Sequence, residues 1–237
     1  MLRAILNRWS RLRPLFPAAV LAAGGPACTP GEGPLVVCLG DSLTSGWRLP
    51  EDEAWPALVA KTLAANGRPV RVLNAGVSGD TAAQGLARLP GALARRPDVL
   101  VVALGTNDGL TGLPLDVTER ALGQIVLDAH ATRAHVLLVG VRLATGEGAP
   151  RVGASAGDER RARALADMYP RLAAAHRVAL VPDLLAGVAG REELLFPDRL
   201  HPNAAGHERL AGNVRPHLEL VLAEVEAARR GTAEERP

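Results

Sequence analysis

The chain has 237 residues, enough for one ordinary domain with a substantial core, and its 48% hydrophobic and 22% charged content suits a soluble globular protein. With 27 basic and 25 acidic residues the net charge is only +2, so no nucleic-acid partner is expected. Lys61 is the sole lysine, which leaves a P-loop or a Schiff base nothing to stand on; the many arginines follow composition bias, and pairs such as Arg95–Arg96 carry no weight.

Residues 1–33 read as a leader and linker. "MLRAILNRWSRLR" is basic without an acid, "PLFPAAVLAAGG" is apolar, and small residues follow at Pro26-Ala27-Cys28. That order predicts an export signal and a periplasmic protein. The apolar part, broken by Pro14 and Pro17, is far too short to span a bilayer. Cleavage before Cys28 would leave an N-terminal cysteine, as in a bacterial lipoprotein, so membrane association through a lipidated Cys28 is a further expectation, against Gly25 where Leu is usual. A cytoplasmic chain with an irregular start stays open.

From residue 34 short apolar runs alternate with helical patterns. The runs are 34–40, 69–76, 98–105, 135–141 and 178–185; Val and Leu without polar alternation predict strands buried on both faces of a parallel sheet. Trp55, Leu58, Val59, Thr62 and Leu63 recur at helical spacing, 81–95, 116–131 and 158–176 fit helices, and a last helix runs from Asn203, a good cap, to Val225. Five such units predict an α/β fold, a three-layer α/β/α sandwich with a five-stranded parallel sheet over 34–225. Residues 142–157 form a Gly/Ala/Pro-rich loop, and 226–237 read as a charged, frayed tail. Cys38 falls in the first strand as a small hydrophobe; the six histidines are dispersed, so no bound metal is expected.

Ligands of such sheets bind beyond the carboxyl ends of the strands. There the chain places Gly40-Asp41-Ser42, then Gly76-Val77-Ser78-Gly79-Asp80, then Gly105-Thr106-Asn107-Asp108, and finally Asp198-Arg199-Leu200-His201. Acyl transfer by a serine needs a base, a group that orients the base, and donors for the oxyanion. Three residues apart, Asp198 can hold the imidazole of His201, leaving its other nitrogen for the proton of Ser42. The backbone N–H groups of Ser42 and Gly79 and the amide of Asn107 can meet the oxyanion. Each residue also has a plainer reading. Ser42 can simply cap the next helix, Gly79 can be a turn glycine, Asn107 can belong to an Asx turn, and His201 can lie idle on the surface. His207 reads as an exposed helix residue, Asp80, Asp108 and Asp183 as turn residues, and His130, His135, His176 and His217 have no assigned role. The familiar Gly-x-Ser-x-Gly elbow is absent. The four weak signals gain force by occurring in order at one sheet edge.

Gly40-Asp41-Ser42-Leu43, Gly79, Gly105-x-Asn107-Asp108 and Asp198-x-x-His201 resemble the four blocks of the SGNH (GDSL) hydrolases. "NAGVSGDTAAQGLARLP", "LGTNDGL" and "HPNAAGH" are similar to the bacterial thioesterase/arylesterase/lysophospholipase group, over roughly residues 34–222. The resemblance implies a flavodoxin-like sheet, no cofactor, Ser42 as nucleophile, His201 as base, Asp198 as its orienter, and an oxyanion hole of Ser42, Gly79 and Asn107. It implies small acyl ester or thioester substrates of aryl-ester, acyl-CoA or lysophospholipid type. A carbohydrate O-deacetylase on the same scaffold, or a non-catalytic small-molecule-binding module, are the alternatives; a phospho-receiver would need a lysine after the fifth strand. Two departures stand out. Trp47 replaces a common tyrosine, and loop 142–157 lacks a Pro-Asn-Tyr-Gly-like stretch, so chain-length preference does not carry over.

Overall fold

A computed structural model describes residues 33–144 and 156–234. The leader with Cys28, and positions 145–155 of the Gly/Ala/Pro-rich loop, fall outside the described residues. Five parallel strands form one sheet: β1 (Leu35–Gly40), β2 (Arg71–Gly76), β3 (Val99–Ala103), β4 (His135–Val139) and β5 (Ala179–Val181), in the order β2-β1-β3-β4-β5. The helices between and after them are α1 (Ser42–Ser45), α2 (Trp55–Ala65), α3 (Ala82–Leu93), α4 (Thr106–Thr111), α5 (Leu115–Ala131), α6 (Ala156–His176) and α7 (Ala204–Glu234). The crossovers place α2 and α7 together on one face and α3, α5 and α6 on the other, giving the three-layer sandwich.

The expected burial of every strand holds for the inner ones only. Val36–Leu39, Val99–Val102 and Val136–Val139 are buried, whereas β2 is half-buried throughout. The strand order explains the difference, because β2 and β5 are the two edges and have a neighbour on one side alone.

The strand order also locates the site. Connections leave β1 in one direction and β3 in the other, so a crevice opens between their carboxyl ends. The chain turns sharply there, with α1 lying directly on the strand ends. A Cβ at Gly40 would sit 2.0 Å from Thr44 Oγ1, and one at Gly76 would sit 2.3 Å from the Ser45 nitrogen. Only glycine lets the first helix approach β1 and β2 so closely.

The segment expected to fray after Val225 instead continues α7 to Glu234. Its charges have partners far away in sequence: Glu226 pairs with Arg68 at 3.0 Å, and Arg229 with Asp98 at 2.6 Å. Asp98 also accepts the N–H of Leu35 at 2.7 Å, which ties the end of α7 to the start of β1.

Candidate active site

The turn after β1 gives its two polar residues separate tasks. Asp41 is the cap of α1, its Oδ1 accepting the N–H of Leu43 at 2.9 Å, and Ser42 is the first helical residue. Ser42 is therefore spared from capping, and its Oγ lies 3.0 Å from His201 Nε2. Asp41 is fully buried, and that burial pushes its carboxyl up to about 7 against the Leu43 N–H, with the nearby Asp80 and Asp108 carboxylates adding to the rise.

His201 and Asp198 sit on a tight reversal between β5 and α7. The N–H of Phe196 bonds the carbonyl of His201 at 2.8 Å, and Arg199 takes a left-handed φ of 57° at the turn. Asp198 Oδ1 accepts the N–H groups of Leu200 and His201, both at 3.0 Å, and Oδ2 lies 2.8 Å from His201 Nδ1. Burial raises the Asp198 carboxyl, but the His201 N–H, the His201 ring and the Leu200 N–H outweigh it and hold it below its ordinary value. One carboxylate thus shapes its own loop and orients the imidazole. An unbroken line runs from Asp198 through His201 to Ser42.

Gly79 lies in the turn after β2, which the Asp80 N–H closes on the Val77 carbonyl at 3.1 Å. Its φ of +88° is the position a type II turn reserves for glycine, while a Cβ there would meet nothing within 4 Å. Backbone conformation, not crowding, is what demands glycine. Asn107, in α4 after β3, donates one amide hydrogen to the Asp80 carbonyl at 2.8 Å, which fixes the plane of its amide and leaves the second hydrogen available. The structure therefore brings Ser42, His201 and Asp198 into contact, and joins the Gly79 turn to Asn107 at the start of α4 through Asp80.

Three residues read otherwise in the sequence belong to the support of this site. His207 is not exposed but 1% accessible, and its Nδ1 accepts the N–H of Trp55 at 3.1 Å. Burial, with His201 nearby, pushes it down to about 4 and keeps it neutral. Asp108 is no surface turn residue either: it is buried, accepting the Ala82 N–H and the Thr118 hydroxyl, both at 2.9 Å. Asp80 is buried against Arg88. Asp183 does serve a turn, accepting the N–H groups of Leu185 and Arg142.

Sequence reasoning passed over Arg88 and read Trp47 only as the replacement of a common tyrosine. The indole of Trp47 stacks on the His201 ring at 4.1 Å between centroids, meets Phe196 edge-on at 5.9 Å and carries the Arg48 guanidinium 4.2 Å from its centroid. The spacing of Trp47 five residues after Ser42 was visible, but its partner lies in another block.

Residues 38–209 match the model of the GDSL-like lipase/acylhydrolase family. Esterase TesA of Pseudomonas aeruginosa is 38% identical over 188 residues, 79% of this chain and 89% of the relative. Thioesterase 1/protease 1/lysophospholipase L1 of Escherichia coli K12 is 37% identical over 169 residues, 71% of this chain and 75% of the relative. The crystal structure of TesA superposes with a TM-score of 0.72 at 38% identity, covering 79% of this chain and 99% of that one. With a matching family model over most of its length and esterases as its relatives, the chain belongs to the GDSL-like lipase/acylhydrolase family and is an ester hydrolase.

Proposed function

We propose that the chain cleaves small carboxylic esters and thioesters through an acyl-enzyme on Ser42. The observation that carries this reading is the continuous hydrogen-bonded line Asp198–His201–Ser42, with 2.8 and 3.0 Å links. In the first half-reaction His201 Nε2 takes the Ser42 proton as Oγ attacks the acyl carbon. Asp198 holds the Nδ1–H and stabilises the imidazolium that forms. Negative charge then gathers on the former carbonyl oxygen, where the N–H groups of Ser42 and Gly79 and the free amide hydrogen of Asn107 receive it. The intermediate collapses, and the departing alkoxide or thiolate takes the proton from His201. Water repeats the sequence on the acyl-enzyme, releasing the acid and restoring Ser42.

Labelling with a fluorophosphonate, followed by mass spectrometry of the adduct, tests the mechanism: modification of Ser42 is expected, and an adduct elsewhere refutes it. Substrate class is read from the E. coli relative, whose name joins thioesterase and lysophospholipase. Turnover of p-nitrophenyl esters, acyl-CoA and lysophospholipids is expected to exceed that of acetylated sugars; the reverse ranking would favour O-deacetylation. The basic-then-apolar start of the sequence supports export, which sequencing the N-terminus of the protein isolated from cells would test.

A further inference from the structure

Arg88 lies on α3, and no chemical step above uses it. Its guanidinium reaches three separate segments. Nη2 donates to the Gly40 carbonyl at 2.7 Å at the end of β1, Nη1 donates to the Ala75 carbonyl at 2.6 Å in β2, and Nε donates to the Asp80 carboxylate. Asp80 is 8% exposed, so its charge has been taken out of water and depends on that cation.

Asp80 is itself a junction. Its N–H closes the Val77–Asp80 turn that contains Gly79, and its carbonyl accepts the amide of Asn107. The Gly40 carbonyl that Arg88 binds also accepts the N–H of Val77 at 3.0 Å. One planar group therefore sets the spacing between the start of α1, the Gly79 turn and the Asn107 amide. A guanidinium presents its donors in a rigid fork and can serve three acceptors at once; a lysine ammonium is a point charge on a flexible stem.

We infer that Arg88 is the positioning residue of the oxyanion hole, acting through Asp80 on Gly79 and Asn107. The inference rests on the oxyanion-hole reading above. Donors aimed at a developing charge lose their value when they drift, so loss of the brace lowers turnover while leaving ground-state binding largely alone.

The test is a double-mutant cycle on p-nitrophenyl butyrate with R88K, N107A and the pair, recording kcat, KM and the thermal midpoint. N107A alone is expected to lower kcat by about 10²–10³. R88K is expected to lower kcat about ten- to a hundredfold with KM within about twofold. In the N107A background the same substitution is expected to cost at least about threefold less than in the parent, because one of the two donors it aims is gone. An unchanged kcat in R88K, or the same factor in both backgrounds, overturns the positioning role while the N107A loss leaves the oxyanion hole standing. A silent N107A overturns the oxyanion-hole reading instead, and the route through Asn107 with it. Should R88K fail to fold, D80N keeps the shape and an acceptor but removes the charge. It is expected to show the same attenuated loss in the N107A background, and a full loss there again overturns the role.

Discussion

The rings of Trp47 and His201 lie face to face, their centroids 4.1 Å apart and their planes 26° from parallel. The imidazole of the proposed base is thus held on an aromatic surface as well as by Asp198. An indole face attracts the positive charge that the proposed base would gain in the transition state, an effect worth about 1–2 kcal/mol.

Removal of that face by Trp47→Ala is expected to lower kcat about fivefold to thirtyfold, whereas Trp47→Phe keeps most of it. Steady-state assays on a short p-nitrophenyl ester decide this. Equal kcat in all three proteins would mean that the stack is only packing.

Ser42→Ala is expected to lower turnover by about 10⁴ or more without loss of thermal stability. The stability half of the statement follows from the geometry: the cap of α1 is Asp41, so removing the Ser42 hydroxyl costs no cap. A melting curve beside the assay checks both halves, and near-normal hydrolysis would end the nucleophile assignment.

Gly79→Ala tests a backbone effect isolated from crowding, since the added methyl meets nothing within 4 Å at a φ of +88°. We expect strain of about 1–2 kcal/mol to shift the turn and cut kcat about tenfold with little change in KM. Unaltered kinetics would show that the N–H of residue 79 takes no part.

His207 gives stability a pH dependence of definite sign. Its folded value, about 4, lies below the ordinary 6.5, so the unfolded chain takes up a proton that the folded chain refuses. The contribution is complete above pH 6.5 and declines as pH falls toward 4, by about 3 kcal/mol in all. Urea denaturation across this window should be steeper in pH for the parent than for His207→Gln; parallel curves would contradict the buried neutral ring.

Asp41 works in the opposite direction. Its carboxyl is raised from 3.8 to about 7, so the protonated form is favoured in the fold, and stability is lost as pH rises through that interval. Asp41→Asn keeps a capping oxygen and has no proton to lose. The variant should gain on the parent between pH 4 and pH 7, read from paired denaturation midpoints. A constant difference would show that Asp41 is ionised throughout.

Much of this was legible because the inner strands are nearly pure Val and Leu and because the polar blocks follow them in order. What escaped the sequence shares one physical trait, a partner far along the chain or without a side chain. Two of the three acceptors of Arg88 are backbone carbonyls, at Gly40 and Ala75, which no residue pattern marks. His207 looked solvent-facing because its partner is the Trp55 N–H, 152 residues earlier. The last turns of α7 looked frayed because their ion-pair partners, Arg68 and Asp98, belong to the first half of the fold. Asp198 and His201, three residues apart, were readable together for the converse reason: the loop that joins them is local.

The placement of His201 just before α7 bears on when the enzyme can first act during its own synthesis. Ser42 emerges early, but the residue that would take its proton follows 159 positions later, on the loop that leads into α7. A nascent chain with a finished β1–α1 turn but without the His201 loop is therefore expected to lack activity. Activity is expected only once the His201 loop is in place and α7, tied to Asp98 through Arg229, has packed against the sheet.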